Sequence, residues 1–170
     1  GLQTLAATGR AIKTSAKIEA VTELAREAMK ATPRRRLVVF TQRLETLRHL
    51  MSVLSAHGLG DLVGTIQGGS HEANLRSIAD YRADPPRRPI LLSTDTGAVG
   101  LNLQAGNIVV NYDLPWNPMT LEQRIGRVQR LGQKARSVVI YNLVLKGTME
   151  DHIVLRLMEK LALFSQAIGE

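Results

Sequence analysis

Five short apolar runs punctuate the chain: LVVFT at 37–41, LVGTIQ at 62–67, PILLST at 89–94, IVVNYD at 108–113 and VVIYNLVL at 138–145. Each is almost continuously apolar, the pattern of a strand covered on both faces. Around them the spacing changes to that of helices. Ile18, Val21, Ala25, Ala28 and Met29 form one apolar stripe; Leu44, Leu47, Leu50, Met51 and Leu54 form a second; Leu75, Ile78 and Ala79 form a shorter third. Strands alternating with helices predict an α/β fold on a mainly parallel sheet. In such a sheet, ligands bind beyond the carboxyl ends of the strands.

The closing segment carries Ile153, Leu157, Leu161, Phe164 and Ile168 behind Thr148, which predicts a long C-terminal helix over 148–170. Residues 1–14 have weak periodicity and read as a connector or tail, leaving 15–147 as one domain. PRRR at 33–36 and RADPPRRP at 82–89 are basic loops broken by proline, solvated or touching phosphate. No internal repeat and no low-complexity tract interrupts this organisation.

A chain of 170 residues corresponds to about one domain. No apolar run reaches the length of a membrane span, so a cytoplasmic protein without a membrane partner is the default expectation. With no cysteine there is neither a disulfide framework nor a thiolate metal site. His49, His57, His71 and His152 stand apart, so no metal site is expected. The net charge of +7, with arginine supplying 16 of the 22 basic residues, favours a polyanion gripped through guanidinium forks. Aromatic residues are only 4% of the chain, which argues against a platform that stacks single-stranded bases.

Three segments carry candidate chemistry. On a helix, QRIGRVQR at 123–130 gathers Gln123, Arg127 and Arg130 on one sector, while Leu121, Ile125 and Val128 share an apolar stripe. Permanently charged arginines one turn apart suit a polyphosphate, and Gly126, just before the first of them, suggests a close approach. A solvated basic face, with Thr120 and Gln123 closing a capping box, is the plainer alternative. STDTGAVGLNLQAG at 93–106 begins where a strand should end. Ser93 and Thr94 offer hydroxyls, Gly97 and Gly100 allow close backbone approach, and Asn102 can bond a sugar hydroxyl. The plainer alternative is a turn into a helix capped by Asp95. A nicotinamide site fits poorly, because the glycines do not follow G-x-G-x-x-G and no acid lies at the required distance. YDLPWNP at 112–118 is a loop stiffened by Pro115 and Pro118; Trp116 is expected to anchor it by burial, and Asn117 to contact a backbone or phosphate.

The order of FTQR at 40–43, a GG-S turn at 68–70, STDTGAVGLNLQ, YDLPWNP and QRIGRVQRLGQ resembles motifs four, five and six of superfamily-two helicases. It is closely similar to the second lobe of Swi/Snf-type ATP-dependent DNA translocases, over about residues 15 to 168. LEQRIGR and the closing KLALFSQAIGE look like the bacterial branch that includes the RNA-polymerase-associated translocase. The resemblance implies a RecA-like three-layer α/β/α domain. It implies that Arg127 and Arg130 are arginine fingers, that Gln123 sits beside the γ-phosphate, and that Gly100, Asn102 and Gly126 lie near the nucleotide. Thr41, Gln42, Gly68, Ser93 and Thr94 would approach the DNA backbone, with Trp116 and Asn117 close by.

No G-x-x-x-x-G-K-[ST] and no D-E-x-H occurs in these 170 residues. The chain by itself is therefore expected not to hydrolyse ATP. ATP, with its magnesium, would be held mainly by an N-terminal RecA-like lobe, the first expected partner. Double-stranded DNA is the second, and RNA polymerase or another DNA-bound protein a third. A different class stays open: a non-catalytic nucleic-acid-binding or protein-interaction module on the same fold.

Overall fold

A computed structural model describes residues 16–31, 35–128, 138–145, 147, 148 and 150. The expected connector at 1–14, Arg130 and almost all of the expected C-terminal helix lie outside them. The five apolar runs become five strands: β1 (Leu37–Thr41), β2 (Val63–Ile66), β3 (Ile90–Thr94), β4 (Ile108–Asn111) and β5 (Val139–Asn142). They form one sheet in the order β2-β3-β1-β4-β5, every pair parallel. The helices are α1 (Ala16–Lys30), α2 (Leu44–Ala56), α3 (His71–Arg82) and α4 (Pro118–Val128).

The period of two along each strand sorts its side chains between two cores. Leu37 and Val39, Ile90 and Leu92, and Ile108 and Val110 pack with Val21 and Ala25 of α1 and Leu47, Leu50 and Leu54 of α2. Their neighbours Val38, Phe40, Leu91 and Val109 point the other way, to Ile78 and Tyr81 of α3 and Val128 of α4. The result is the three-layer α/β/α arrangement, with β1, β3 and β4 buried along their whole length. The edge strand β5 departs from expectation: Val139, Ile140 and Tyr141 are exposed rather than covered on both faces.

Helix α3 also departs from its pattern. Leu75 and Ala79, two of its three expected core residues, are exposed. The buried face is Asn74, Ser77, Ile78 and Tyr81. Asn74 is buried because its amide closes two hydrogen bonds on the backbone of Gln67, accepting from its N–H at 3.1 Å and donating to its C=O at 2.8 Å. Such pairing removes the cost of burying an amide. Ser77 is small because α3 lies tight on β2: a Cβ added to Gly64 would come within 3.2 Å of Ser77 Cβ.

Lys17 joins the first helix to the segments that leave β4 and β5. Buried at the start of α1, its ammonium donates to the carbonyl of Tyr112 at 2.9 Å and pairs with Glu150, whose second carboxylate oxygen accepts from Leu145 N–H. The segment after β5 is thereby tied to the exit of β4.

Candidate functional site

Strands β1 and β4 are neighbours, yet the chain leaves β1 towards β2 and leaves β4 towards β5. Divergent exits open a crevice between their carboxyl ends. Four loops line that edge. Gln42 follows β1, Gly68 follows β2, the 95–100 turn follows β3, and the segment Tyr112 to Asn117 follows β4 into α4.

One guanidinium organises these loops. Arg124 projects from α4 into the edge and is 1% exposed. Its Nε and Nη2 donate to the two oxygens of Asp95 at 2.6 and 2.9 Å. Nη1 donates to Asn111 Oδ1 at 3.2 Å and to the Asp113 carbonyl at 2.8 Å, and Nη2 also reaches Asp113 Oδ1 at 3.2 Å. Every one of the five N–H groups of a guanidinium is thus used. The group also lies 5.7 Å from the centroid of the Phe40 ring. Asp113 passes the connection on: its carboxylate accepts from the Thr41 hydroxyl at 2.6 Å and from Gln42 N–H at 3.0 Å. Asn111 extends it to Asn142 of β5 at 2.8 Å. The exits of β1, β3, β4 and β5 are therefore tied to the helix that carries Gln123, Gly126 and Arg127.

Such a network is strong only while complete. A buried arginine bidentate to one carboxylate and bonded to a second offsets its desolvation through those bonds, and removing it leaves two carboxylates facing one cavity. Arg124 was not among the residues expected to matter. On the helical wheel it falls beside Val128, at the margin of the apolar stripe of Leu121, Ile125 and Val128. A cation at that margin demands acidic partners from other elements, here 29 and 11 residues upstream.

A profile describing the helicase conserved C-terminal domain matches residues 16–132. The chain belongs to that family. It is 42% identical over 137 residues to an uncharacterized ATP-dependent helicase, YqhH, of Bacillus subtilis, covering 79% of this chain and 23% of that protein. It is 41% identical over 94 residues to the chromatin-remodeling ATPase INO80 of Drosophila melanogaster, covering 54% of this chain and 6% of that protein. The crystal structure of the C-terminal part of the Fun30 ATPase domain matches with a TM-score of 0.72 and 26% identity, covering 85% of this chain and 45% of that one. The helicase C-terminal lobe of Swi/Snf-type ATPases is therefore the right frame for this edge. The chain spans less than a quarter of the length of these two curated relatives.

Within that frame the family motifs meet at the edge, in two groups. Thr41 and Ser93 are fully buried and Thr94 nearly so, with hydroxyls already engaged: Thr41 on Asp113, Ser93 on the Thr94 carbonyl, and Thr94 accepting from Gly97 N–H. These three support the edge from within and do not present hydroxyls outward. Gln42, Gly68, Trp116 and Asn117 are exposed and form its outer surface. Trp116, 69% exposed, does not anchor its loop; the buried apolar residue there is Leu114, packed on Leu121.

Local roles settle several alternatives. Asn117 caps α4, its side-chain oxygen accepting from Met119 N–H at 3.0 Å. The helix therefore starts two residues before Thr120, which is not the cap of a Thr120–Gln123 box. Asp95 caps no helix: residues 95–100 are turns, and its carboxylate belongs to Arg124. Gly97 serves packing, since a Cβ there would lie 2.6 Å from the backbone of Gln67. Gly100 has φ 76°, the left-handed region, and is exposed. Asn102 folds its own loop, accepting from Gln104 N–H at 2.9 Å. Around Gly126 no described atom approaches the Cβ position within 4 Å. Gln123 is exposed, and Arg127 is half-buried with its carbonyl accepting from Leu103 N–H at 3.0 Å. Among the described residues no group of three or more potential ligands could hold a metal ion, and no helix is long and apolar enough to cross a membrane.

Proposed function

We propose that this chain is the C-terminal motor lobe of an ATP-dependent double-stranded DNA translocase. The observation that carries the reading is the Arg124 network, which binds the outward loops of the sheet edge and the Gln123–Arg127 helix into one rigid unit. A lobe that senses nucleotide on one side and moves nucleic acid on the other requires such a connection.

Gln123, Arg127 and Arg130 would face ATP, and the open space at Gly126 and the exposed turn at Gly100 would leave room for it. Asn102 would stand near the ribose. The bound triphosphate, with magnesium held by residues of the N-terminal lobe, supplies the phosphoryl group whose transfer drives the motor. The part of this chain is electrostatic: its guanidinium groups stabilise charge that builds on the transferred phosphoryl. Gln42, Gly68, Trp116 and Asn117 would touch the DNA backbone, held in place by Thr41, Ser93 and Thr94. Closure and opening of two lobes around nucleotide would move the pair along the duplex. Intracellular DNA is the setting this implies, in a bacterial cytoplasm or nucleoid. RNA polymerase or another DNA-bound protein is the partner suggested by LEQRIGR and the closing KLALFSQAIGE.

The direct test uses the complete two-lobe protein. Deleting the residues of this lobe is expected to abolish DNA-stimulated ATP hydrolysis, and adding the lobe back in trans to restore part of it. An N-terminal lobe that hydrolyses ATP equally well alone would contradict the reading.

A further inference from the structure

The opposite end of the sheet carries a second concentration of positive charge, remote from the carboxyl edge. Two basic loops that are separate in sequence converge there. Leu37 N–H donates to the Pro89 carbonyl at 2.9 Å, which sets Arg35 and Arg36 beside Arg87 and Arg88 at the entries of β1 and β3. Arg36 Nη2 donates to the Ala83 carbonyl at 2.7 Å and so holds the end of α3, with Arg82, against the same edge. Five guanidinium groups thus face two carboxylates, Asp80 and Asp84, while Glu27 and Lys30 at the end of α1 cancel.

Arg36 is structural, with its guanidinium turned inward. The other four are exposed. Arg87 and Arg88 share Asp80 at 3.6 and 3.5 Å, contacts too long and too solvated to hold them against a competing anion. The Asp80 carbonyl fixes the backbone of this loop, accepting from the N–H groups of Arg87 and Arg88 at 3.0 and 3.4 Å, and so holds the two residues at one place on the surface.

We infer that Arg35, Arg82, Arg87 and Arg88 form a nucleic-acid-binding surface at the amino edge of the sheet, taking the phosphate backbone of a duplex independently of the motor cleft. The chemistry favours phosphate over an acidic protein. The cations are all guanidinium, which forks onto phosphate oxygens. A protein interface needs apolar anchors at its centre; the large exposed hydrophobics of the described residues, such as Leu75, Trp116 and Tyr141, lie outside 35–36 and 82–88. Strand β1 spans roughly 15 Å from edge to edge at about 3.3 Å per residue. A duplex seated at the carboxyl edge therefore reaches the amino edge only by bending, or a second segment fills it.

The test uses the 170-residue chain without nucleotide, by fluorescence anisotropy of a labelled 20-base-pair duplex between 50 and 200 mM salt. The fourfold variant R35Q/R82Q/R87Q/R88Q is expected to bind at least about tenfold more weakly at low salt, with a log–log salt slope smaller by about 3 to 4, as each lost phosphate contact removes about 0.9. R48Q, on the exposed face of α2 and outside both edges, is expected to leave both quantities nearly unchanged. Hydrogen exchange on the unsubstituted chain supplies a readout that does not depend on the variant's folding: duplex slows exchange of the 83–88 amides more than of the 95–100 amides. The inference is overturned if the fourfold variant keeps the parent's affinity and slope, if the duplex protects only 95–100, if the chain binds no duplex, or if the surface captures polyglutamate in preference to DNA. None of these outcomes touches the motor reading, which depends on ATP hydrolysis by two lobes.

Discussion

Arg124 and Asp95 meet side by side, the guanidinium Nε and Nη2 donating to the two carboxylate oxygens at 2.6 and 2.9 Å in a fork that joins α4 to the exit of β3. Because Asp113 completes the arginine from the exit of β4, one buried cation fixes the spacing of two loops and a helix. Specificity of shape is the consequence. A hydrophobic residue at this position would fill the volume but leave the loops unconnected.

Arg124→Met is expected to destabilise the lobe by about 2–3 kcal/mol, since the half-buried carboxylates of Asp95 and Asp113 lose the buried cation that bridges them and keep only partial access to water. Arg124→Lys keeps the charge but loses the planar fork and is expected to recover only part of that loss. Denaturant unfolding checks both. A lysine variant as stable as the parent would show that charge alone, and not the five-bond geometry, holds the edge.

Tyr81 is completely buried, and its hydroxyl has no hydrogen-bond partner among the described residues. Burial pushes its phenol well above the ordinary value, with Arg36 pulling in the opposite direction. Tyr81→Phe is expected to stabilise the lobe by about 1 kcal/mol or more, since it removes an unsatisfied polar group. The sign with pH follows from the raised value. Below about pH 10 the side chain is neutral in both states; above it the unfolded chain ionises first, so stability falls by up to about 1.4 kcal/mol per pH unit. The phenylalanine variant is expected to lack this increment of alkaline loss in thermal unfolding followed from pH 8 to 11.

Gly97 and Gly126 look alike in sequence and are expected to respond oppositely. A methyl at Gly97 meets the Gln67 backbone, which cannot rotate away, so Gly97→Ala is expected to cost about 1–3 kcal/mol. A methyl at Gly126 meets nothing described, and in a helix Ala is favoured by about 1 kcal/mol. Gly126→Ala is therefore expected to raise the melting temperature of the lobe while lowering ATPase activity of the complete enzyme. Unchanged activity would show that neither nucleotide nor the other lobe comes close there.

The strands were legible because continuous apolar runs of four to six residues have few alternatives between turn signals, and β1, β3 and β4 lie inside their predicted ranges. Helices α1 and α2 were legible for the same reason, at helical period. The face of α3 was not, because it is selected by a polar side chain: Asn74 is buried for the Gln67 backbone while Leu75 faces water. At the site, motif order located the edge but not the direction of its side chains. Thr41 and Ser93 turn inward with their hydroxyls taken by the Asp113 carboxylate and the Thr94 carbonyl, and Trp116 turns outward because Leu114 takes the apolar seat. Arg124 was missed since its burial depends on two carboxylates that only the fold brings to it.

The proposed function rests most directly on Arg127 and Arg130 acting on nucleotide, and the decisive measurement is DNA-stimulated ATP hydrolysis by the complete two-lobe protein carrying Arg127→Ala or Arg130→Ala. Each is expected to lower kcat by about a thousandfold or more while largely sparing DNA affinity. Normal turnover in both variants would contradict the assignment of this lobe as the source of the catalytic arginines.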